Sequence, residues 1–99
     1  MSNTTHEKLK LMRESERLSQ REFCEMTGVP HGSYAQYEQG RSKPGLDATI
    51  KIFSHPRFRK YRDWFMFDET NPAAGQIAPV LSLSGQEIIE LSQSGKKIG

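Results

Sequence analysis

The residues of this chain that could do chemistry are concentrated in one basic segment. Between Gly40 and Arg62 the only acid is Asp47, whereas the basic residues there are Arg41, Lys43, Lys51, Arg57, Arg59, Lys60 and Arg62. Such an excess of cations fits a polyanionic partner, and it fits a solvated basic surface equally well. Residues 68–99 carry more acids than bases, so the net charge of +2 conceals an asymmetric distribution.

Covalent catalysis and metal binding are disfavoured by the same sequence. The histidines His6, His31 and His55 lie on separate segments, with no nucleophile, carboxylate pair or phosphate-binding loop beside them. The single cysteine, Cys24, cannot form an internal disulfide and has no basic cluster to activate it. The longest apolar run, residues 64–67, is far shorter than the roughly 20 residues of a membrane span. We therefore expect no enzyme, metal, cofactor, membrane contact or small-molecule ligand, and a cytoplasmic location.

Helices are needed to position these residues, and helical signals begin close to the start of the chain. Residues 5–17 carry leucine and methionine at core-facing spacing, which predicts a first helix. Ser19 is followed three residues later by Glu22, and this capping-box pattern predicts that a second helix begins there.

A very short turn should follow the second helix. Gly28 can adopt the left-handed conformation that ends a helix, and Pro30 can open the next one. A third helix is predicted over residues 31–39, closed by Gly40, with a basic loop over residues 41–45. This succession is that of a helix-turn-helix unit, in which the second helix enters the major groove of DNA. The side chains expected to pack its two helices together are Cys24, Val29, Tyr34 and Tyr37.

Two further helices and an arm complete the predicted fold. Apolar spacing from residue 46 to residue 53 marks a fourth helix, and Pro56 opens a fifth with an aromatic stripe. We predict an all-α domain of five helices over residues 1–67, and a dimerisation arm and tail over residues 68–99. Weak alternation over residues 76–83 predicts a short β-strand that pairs with the same strand of a second subunit. Beyond it, a short helix and disorder fit equally well.

Residues 8–53 resemble the phage-repressor and Cro type of helix-turn-helix domain. The shared motifs, in the usual order, are Ser-Gln-x-Glu, Thr-Gly-Val, Tyr-Glu-x-Gly-Arg and Lys-Pro. A narrower resemblance spans nearly the whole chain: Thr-Gly-Val-Pro, Gly-Arg-Ser, Lys-Tyr-x-x-Trp-Phe-Met and Gly-Gln-Ile-Ala-Pro are similar to the short C-type immunity repressors of P-two-like temperate coliphages. The resemblance implies a homodimer that keeps a prophage silent by binding operator DNA at the early lytic promoter.

The resemblance also implies roles for individual residues. The base-reading positions, in the first turns of the third helix, would be His31, Gly32, Ser33 and Gln36. Gln36 can pair bidentately with adenine, whereas His31 either touches a base or is solvated. The phosphate-binding positions would be Gln20, Arg21, Arg41, Ser42 and Lys43, of which Arg21 fits a solvated charge equally well. Arg13 and Glu38 match positions that form a partly buried ion pair in related lambdoid repressors.

Dimerisation is expected on energetic grounds as well, because one small module binds DNA weakly and two linked modules bind it tightly. The aromatic stripe has more apolar surface than one small core consumes, and the surplus suggests an interface. Some of these aromatic residues must instead complete the domain core. The predicted interface residues are Phe58, Tyr61, Trp64, Phe65, Ile77, Val80 and Leu81.

Two other functions fit a small helix-turn-helix chain. An antitoxin would use the domain to regulate its own gene and the tail from residue 68 onward to block a toxin. A controller of a restriction-modification system would activate as well as repress. The role of the tail discriminates between these hypotheses, because a repressor needs it for the dimer.

Overall fold

The computed structural model describes residues 3–83, which form six α-helices and two turns of 3₁₀ helix. The helices are α1 (Thr5–Ser15), α2 (Gln20–Thr27), α3 (His31–Glu38), α4 (Leu46–Ser54), α5 (Pro56–Arg59) and α6 (Arg62–Phe67); the 3₁₀ turns are Pro72–Ala74 and Val80–Ser82. The all-α prediction is confirmed over this part of the chain. No helix in it is long and apolar enough to cross a membrane. The tail of residues 84–99, where a short helix or disorder was expected, lies outside the described residues.

Both of the first two helices begin at a capping box. At α2 the Ser19 hydroxyl accepts from the Glu22 amide at 3.1 Å, and the Glu22 carboxylate accepts from the Ser19 amide at 2.9 Å. Thr4 and Glu7 make the same reciprocal pair at α1. Each box satisfies two amide groups that a helix start leaves unpaired. The helix starts are therefore fixed by contacts that span only three residues.

The core is built around large side chains from five helices. Phe23, Tyr34 and Phe58 are fully buried, and the Phe23 ring lies 4.5 Å from Tyr34 and 4.7 Å from Phe58 between centroids. Leu9 and Ile52 close the same cluster from α1 and α4. Burial of these rings holds α2 and α3 against the rest of the domain, since apolar burial is the main stabilising term in a small fold.

The predicted fifth helix is wrong as a single element, because the chain breaks at Lys60 and Tyr61 into α5 and α6. Phe58 and Trp64 are both buried although they are six positions apart. On one continuous helix these side chains would project about 120° apart. The break lets both of them reach the same core.

The predicted strand over residues 76–83 is also wrong. Within the described residues this segment shows only an isolated bridge between Asn71 and Gln76, followed by the second 3₁₀ turn. The Ile77 amide donates to the Lys60 carbonyl at 2.9 Å, and the Leu81 amide donates to the Ser15 hydroxyl at 3.2 Å. These backbone groups are bonded within their own chain, so they are not available to pair with the same strand of a second subunit.

Gln76 explains why this segment folds back. Its buried side chain accepts from the Asp63 amide at 2.9 Å and donates to the Arg59 carbonyl at 3.0 Å. These groups lie at the start of α6 and the end of α5, where helix geometry leaves amides and carbonyls unpaired. One glutamine therefore satisfies both sides of the helix break.

Candidate nucleic-acid interface

The turn between α2 and α3 is made by three residues with distinct roles. Gly28 is left-handed at φ 84°, and its amide donates to the Cys24 carbonyl at 2.8 Å. Val29 is buried, and Pro30 precedes the first residue of α3. Glycine permits the tight turn at position 28 because it has no Cβ to oppose a positive φ.

Cys24 lies on α2, next to this turn. Burial raises the pKa of its thiol to about 11, so Cys24 is a neutral packing residue at physiological pH.

The four expected base-reading residues lie together on α3. His31, Gly32 and Gln36 are exposed, and Ser33 is half-buried. A Cβ placed on Gly32 would meet no atom within 4 Å, so packing inside the chain does not require a glycine there. The first two turns of α3 thus present a polar surface with one position that lacks a side chain.

The expected phosphate-binding residues lie at both ends of the α2–α3 unit. Arg41 and Lys43 are exposed and Ser42 is half-buried in the loop after α3, and Arg21 is exposed in the first turn of α2. Among the described residues none of these three cations takes part in an ion pair. They keep their full charge available for an anionic partner.

Gln20 is placed differently from the other expected phosphate contacts. It is half-buried, and its side-chain amide donates to the Glu38 carboxylate at 3.1 Å. The sequence indicated a surface residue at the start of α2, whereas the structure ties it to the end of α3. Its amide group therefore links the two helices of the unit.

Arg13 and Glu38 form a bidentate ion pair beneath this surface. The Arg13 Nε and Nη2 atoms donate to the two Glu38 carboxylate oxygens at 2.7 and 3.0 Å, and Nη1 donates to the Leu18 carbonyl at 2.8 Å. The side chains are 11% and 5% exposed. The pair joins α1, α3 and the turn before α2 at one point.

Tyr34 completes this polar cluster. Its ring is fully buried, with the hydroxyl 3.4 Å from the Leu9 carbonyl. Burial opposes ionisation of Glu38, but the hydrogen bonds and charge of Arg13, together with the hydrogen bond from Gln20, outweigh it and hold its pKa below the usual value. Glu38 therefore stays charged and keeps Arg13 and Gln20 in place.

The expected interface residues divide into two groups. Phe58, Tyr61 and Trp64 are buried in the core of their own chain, so they offer little surface to a partner. Phe65 is half-buried against Phe53, with ring centroids 5.1 Å apart. The exposed apolar side chains of this region are Met66, Phe67, Ile77, Val80 and Leu81.

Two charged residues for which the sequence predicted no role connect α1 to this region. The buried Lys8 ammonium lies 2.7 Å from the Asp68 carboxylate and donates to the Phe65 carbonyl at 3.0 Å, at the end of α6. Glu16 accepts from the Tyr61 hydroxyl and binds the side chains of Arg57 and Lys60, both at 3.0 Å. The burial of Lys8 could have been predicted from its position beside the core-facing Leu9. Nothing in the local sequence indicates the contacts of Glu16.

Comparison with known proteins agrees with this geometry. A helix-turn-helix family model (HTH_3) matches residues 9–55, which cover most of α1 and all of α2, α3 and α4. The chain is therefore a helix-turn-helix protein. Over all 99 residues of both chains it is 46% identical to Repressor protein C of Escherichia phage P2, and it belongs to the same family as that repressor.

Proposed function

We propose that this protein is a sequence-specific, double-stranded DNA-binding repressor that silences the early lytic genes of a temperate phage and maintains lysogeny in the bacterial cytoplasm. The observation that carries the proposal is the exposed polar face of α3, flanked by Arg21, Arg41 and Lys43, which form no ion pair with any other residue between positions 3 and 83. Identity over the full length to a named phage repressor favours repression over the antitoxin and controller alternatives.

Base recognition is assigned to α3. Gln36 offers one donor and one acceptor to an adenine edge, and Ser33 can donate or accept at either kind of base pair. His31, at the first position of α3, reaches toward the groove, and Gly32 leaves room for close approach or for a thymine methyl group. These contacts supply specificity because they touch base edges rather than the backbone.

Positioning on the DNA backbone is assigned to the ends of the α2–α3 unit. Arg41, Ser42 and Lys43 bind phosphates from the loop after α3, and Arg21 adds a cation at the start of α2. Gln20, whose side chain is tied to Glu38, is assigned to a phosphate together with its own backbone amide at the start of α2. The contacts in this group set orientation and make binding sensitive to salt.

Homodimerisation is assigned to the exposed apolar side chains of α6 and the arm. Met66 and Phe67 are 50% and 63% exposed, and Val80 and Leu81 are 47% and 52% exposed. Apolar surface of this kind on a small domain marks an interaction site. Packing of these side chains against a second copy links two α3 helices and raises affinity for a paired site.

The DNA-binding proposal is tested by nuclease footprinting on the DNA that flanks the gene of this protein. We expect a protected region that persists in excess nonspecific competitor, together with repression of a reporter driven by that DNA. Uniform weak protection that competitor abolishes would contradict the proposal, because charge alone would then explain binding.

The dimer proposal is tested by sedimentation equilibrium of Leu81→Asp. We expect the dimer dissociation constant to rise by at least about tenfold, because a buried charge disrupts an apolar contact. Leu46→Asp is the matched control, since Leu46 is 75% exposed but lies on α4, away from the proposed surface. Equal effects of the two variants would contradict the assignment of the interface.

A further inference from the structure

A pocket of about 420 Å³ opens between the start of α1 and the loop after α3. His6 and the residues before it form one wall, and Tyr37, Gly40, Ser42 and Lys43 form the other. Ser42 and Lys43 belong to the proposed DNA-binding surface, whereas His6 and the Tyr37 hydroxyl do not. The pocket therefore joins the start of α1 to the basic loop.

The shape of the pocket depends on a close approach between His6 and Gly40. Gly40 is left-handed at φ 76°, and a Cβ placed on it would lie 3.0 Å from the His6 Nδ1 atom. Any other residue would be strained here and would press on the imidazole ring. The glycine thus lets the loop carrying Ser42 and Lys43 lie directly against the first turn of α1.

The opposite wall is held by an aromatic contact. The Tyr37 ring meets the Tyr34 ring edge to face, with centroids 6.4 Å apart, and Tyr34 is fully buried. The Tyr37 ring is therefore anchored to the core while its side chain lines the pocket. A hydroxyl held in this way loses little conformational entropy when it binds a ligand.

The polar groups of the pocket suit an anion. The Tyr37 hydroxyl, the Ser42 hydroxyl and the Lys43 ammonium form no hydrogen bond or ion pair within residues 3–83, and no carboxylate lines the pocket. Two neutral donors and one cation around a concave surface are groups that bind phosphate oxygens. The pocket also adjoins Gln36 and Arg41, which the proposed function places on DNA.

We infer that this pocket holds one backbone phosphate of the operator DNA, bound by Lys43, Ser42 and Tyr37 and shaped by the contact of His6 with Gly40. The inference rests on the proposed function and extends it, because it makes the start of α1 and the Tyr37 hydroxyl part of the DNA-binding surface. The same chemistry would accept free inorganic phosphate, so the two sources have to be separated by experiment.

Ethylation interference on the footprinted operator tests the inference with full-length protein. In the wild type, ethylation of one particular phosphate should block binding. In the double variant Y37F/K43A, interference at that single phosphate should disappear while interference at the others persists. Tyr37→Phe alone should weaken operator binding about three- to tenfold, the effect of one lost hydrogen bond. Lys51→Ala, which removes an exposed cation outside the pocket, is the control and should leave the interference pattern unchanged.

The outcomes separate the inference from the proposed function. Absence of any specific operator binding by the wild type would overturn the proposed function itself. Specific operator binding that Tyr37→Phe leaves at wild-type strength would overturn the inference alone, because the proposed function already assigns Lys43, but not Tyr37, to a phosphate. Titration with inorganic phosphate is the second arm: saturable binding by the free wild type, together with an unchanged interference pattern in Y37F/K43A, would identify a site for free phosphate and overturn the assignment to DNA.

Discussion

The helix boundaries of the α2–α3 unit and those of residues 56–83 are set by contacts of very different range. In α2–α3 the boundaries depend on Ser19, Glu22 and Gly28, whose partners lie three or four residues away. In residues 56–83 the helix break depends on Gln76, whose partners lie 13 and 17 residues away. The comparison teaches that the helix boundaries beneath the polar surface are locally encoded, whereas the helix break beside the exposed apolar residues is set by distant contacts.

Helix α1 connects the two regions. Its Arg13 binds Glu38 at the end of α3, and its Glu16 binds side chains of residues 57–61. Its Lys8 binds the end of α6. Each of these charged groups is largely buried and paired, so α1 holds both regions by specific polar contacts in addition to its apolar face.

The largest expected effect comes from Glu38→Ala. Removal of one partner from a buried ion pair leaves the Arg13 charge uncompensated, which costs about 3–5 kcal/mol. We expect the free energy of unfolding in urea to fall by this amount. Arg62→Ala is the control, because its pair with Asp63 at 2.9 Å is exposed and should be worth less than about 1 kcal/mol. Equal losses in the two variants would show that the Arg13–Glu38 pair does not hold the helix-turn-helix unit.

The next effect comes from Gln76→Ala. Without the glutamine side chain, the Asp63 amide and the Arg59 carbonyl lose their partners, which costs about 1–3 kcal/mol. Amide hydrogen exchange should accelerate at Asp63 more than in α2. Asn71→Ala, an exposed change in the same segment, should have little effect on either measurement. A Gln76→Ala variant with wild-type stability would contradict the role given to this side chain.

A smaller effect is expected from Ser19→Ala. Loss of the capping hydroxyl leaves the Glu22 amide unpaired at the start of α2 and costs about 1 kcal/mol. Thermal unfolding should show a lower midpoint, with faster amide exchange confined to the first turn of α2. Ser54→Ala, at an exposed helix end, provides the comparison. If the loss spread to residues 56–83, α2 would not be the locally encoded unit described above.

A graded dependence of stability on pH is expected from Glu16. Burial opposes ionisation of Glu16, but hydrogen bonds from Tyr61, Lys60 and Arg57 outweigh it, so its folded pKa lies below the ordinary 4.5. Such a carboxyl stabilises the fold above its unfolded pKa, and the stabilisation is lost as pH falls through the folded pKa. As the pH is lowered below about 4.5, the urea concentration at the unfolding midpoint should therefore decrease. The decrease should be less steep in Glu16→Gln. Parallel pH profiles for the two proteins would rule out this contribution.

The sequence predicted the fold where the signals are local. The first four helices and the left-handed Gly28 were predicted, and the exposure of α3 agrees with its expected use. The break at Lys60 and Tyr61 was missed, because the aromatic spacing there fits a continuous helix. The strand over residues 76–83 was wrong, because the alternating pattern does not reveal that Gln76 bonds to the helix break.

In the candidate site, too, the features with local sequence signals were predicted and the contacts between distant residues were not. The polar run on α3 and the basic loop are visible as residue types, and the resemblance assigned their roles. The tie of Gln20 to Glu38 could not be predicted, since 18 residues separate them and each alone resembles a surface residue. The approach of His6 to Gly40 likewise depends on how α1 packs on α3.

The central claim, that α3 reads operator bases, is tested most directly by missing-contact footprinting with Gln36→Ala. Operator binding should weaken by about 1–3 kcal/mol, and removal of one particular base, which impairs the wild type, should no longer impair the variant. Binding to nonspecific DNA should be unchanged, since no phosphate contact is altered. If Gln36→Ala weakened specific and nonspecific binding equally and kept every base contact, α3 would not read that base and the account would be contradicted.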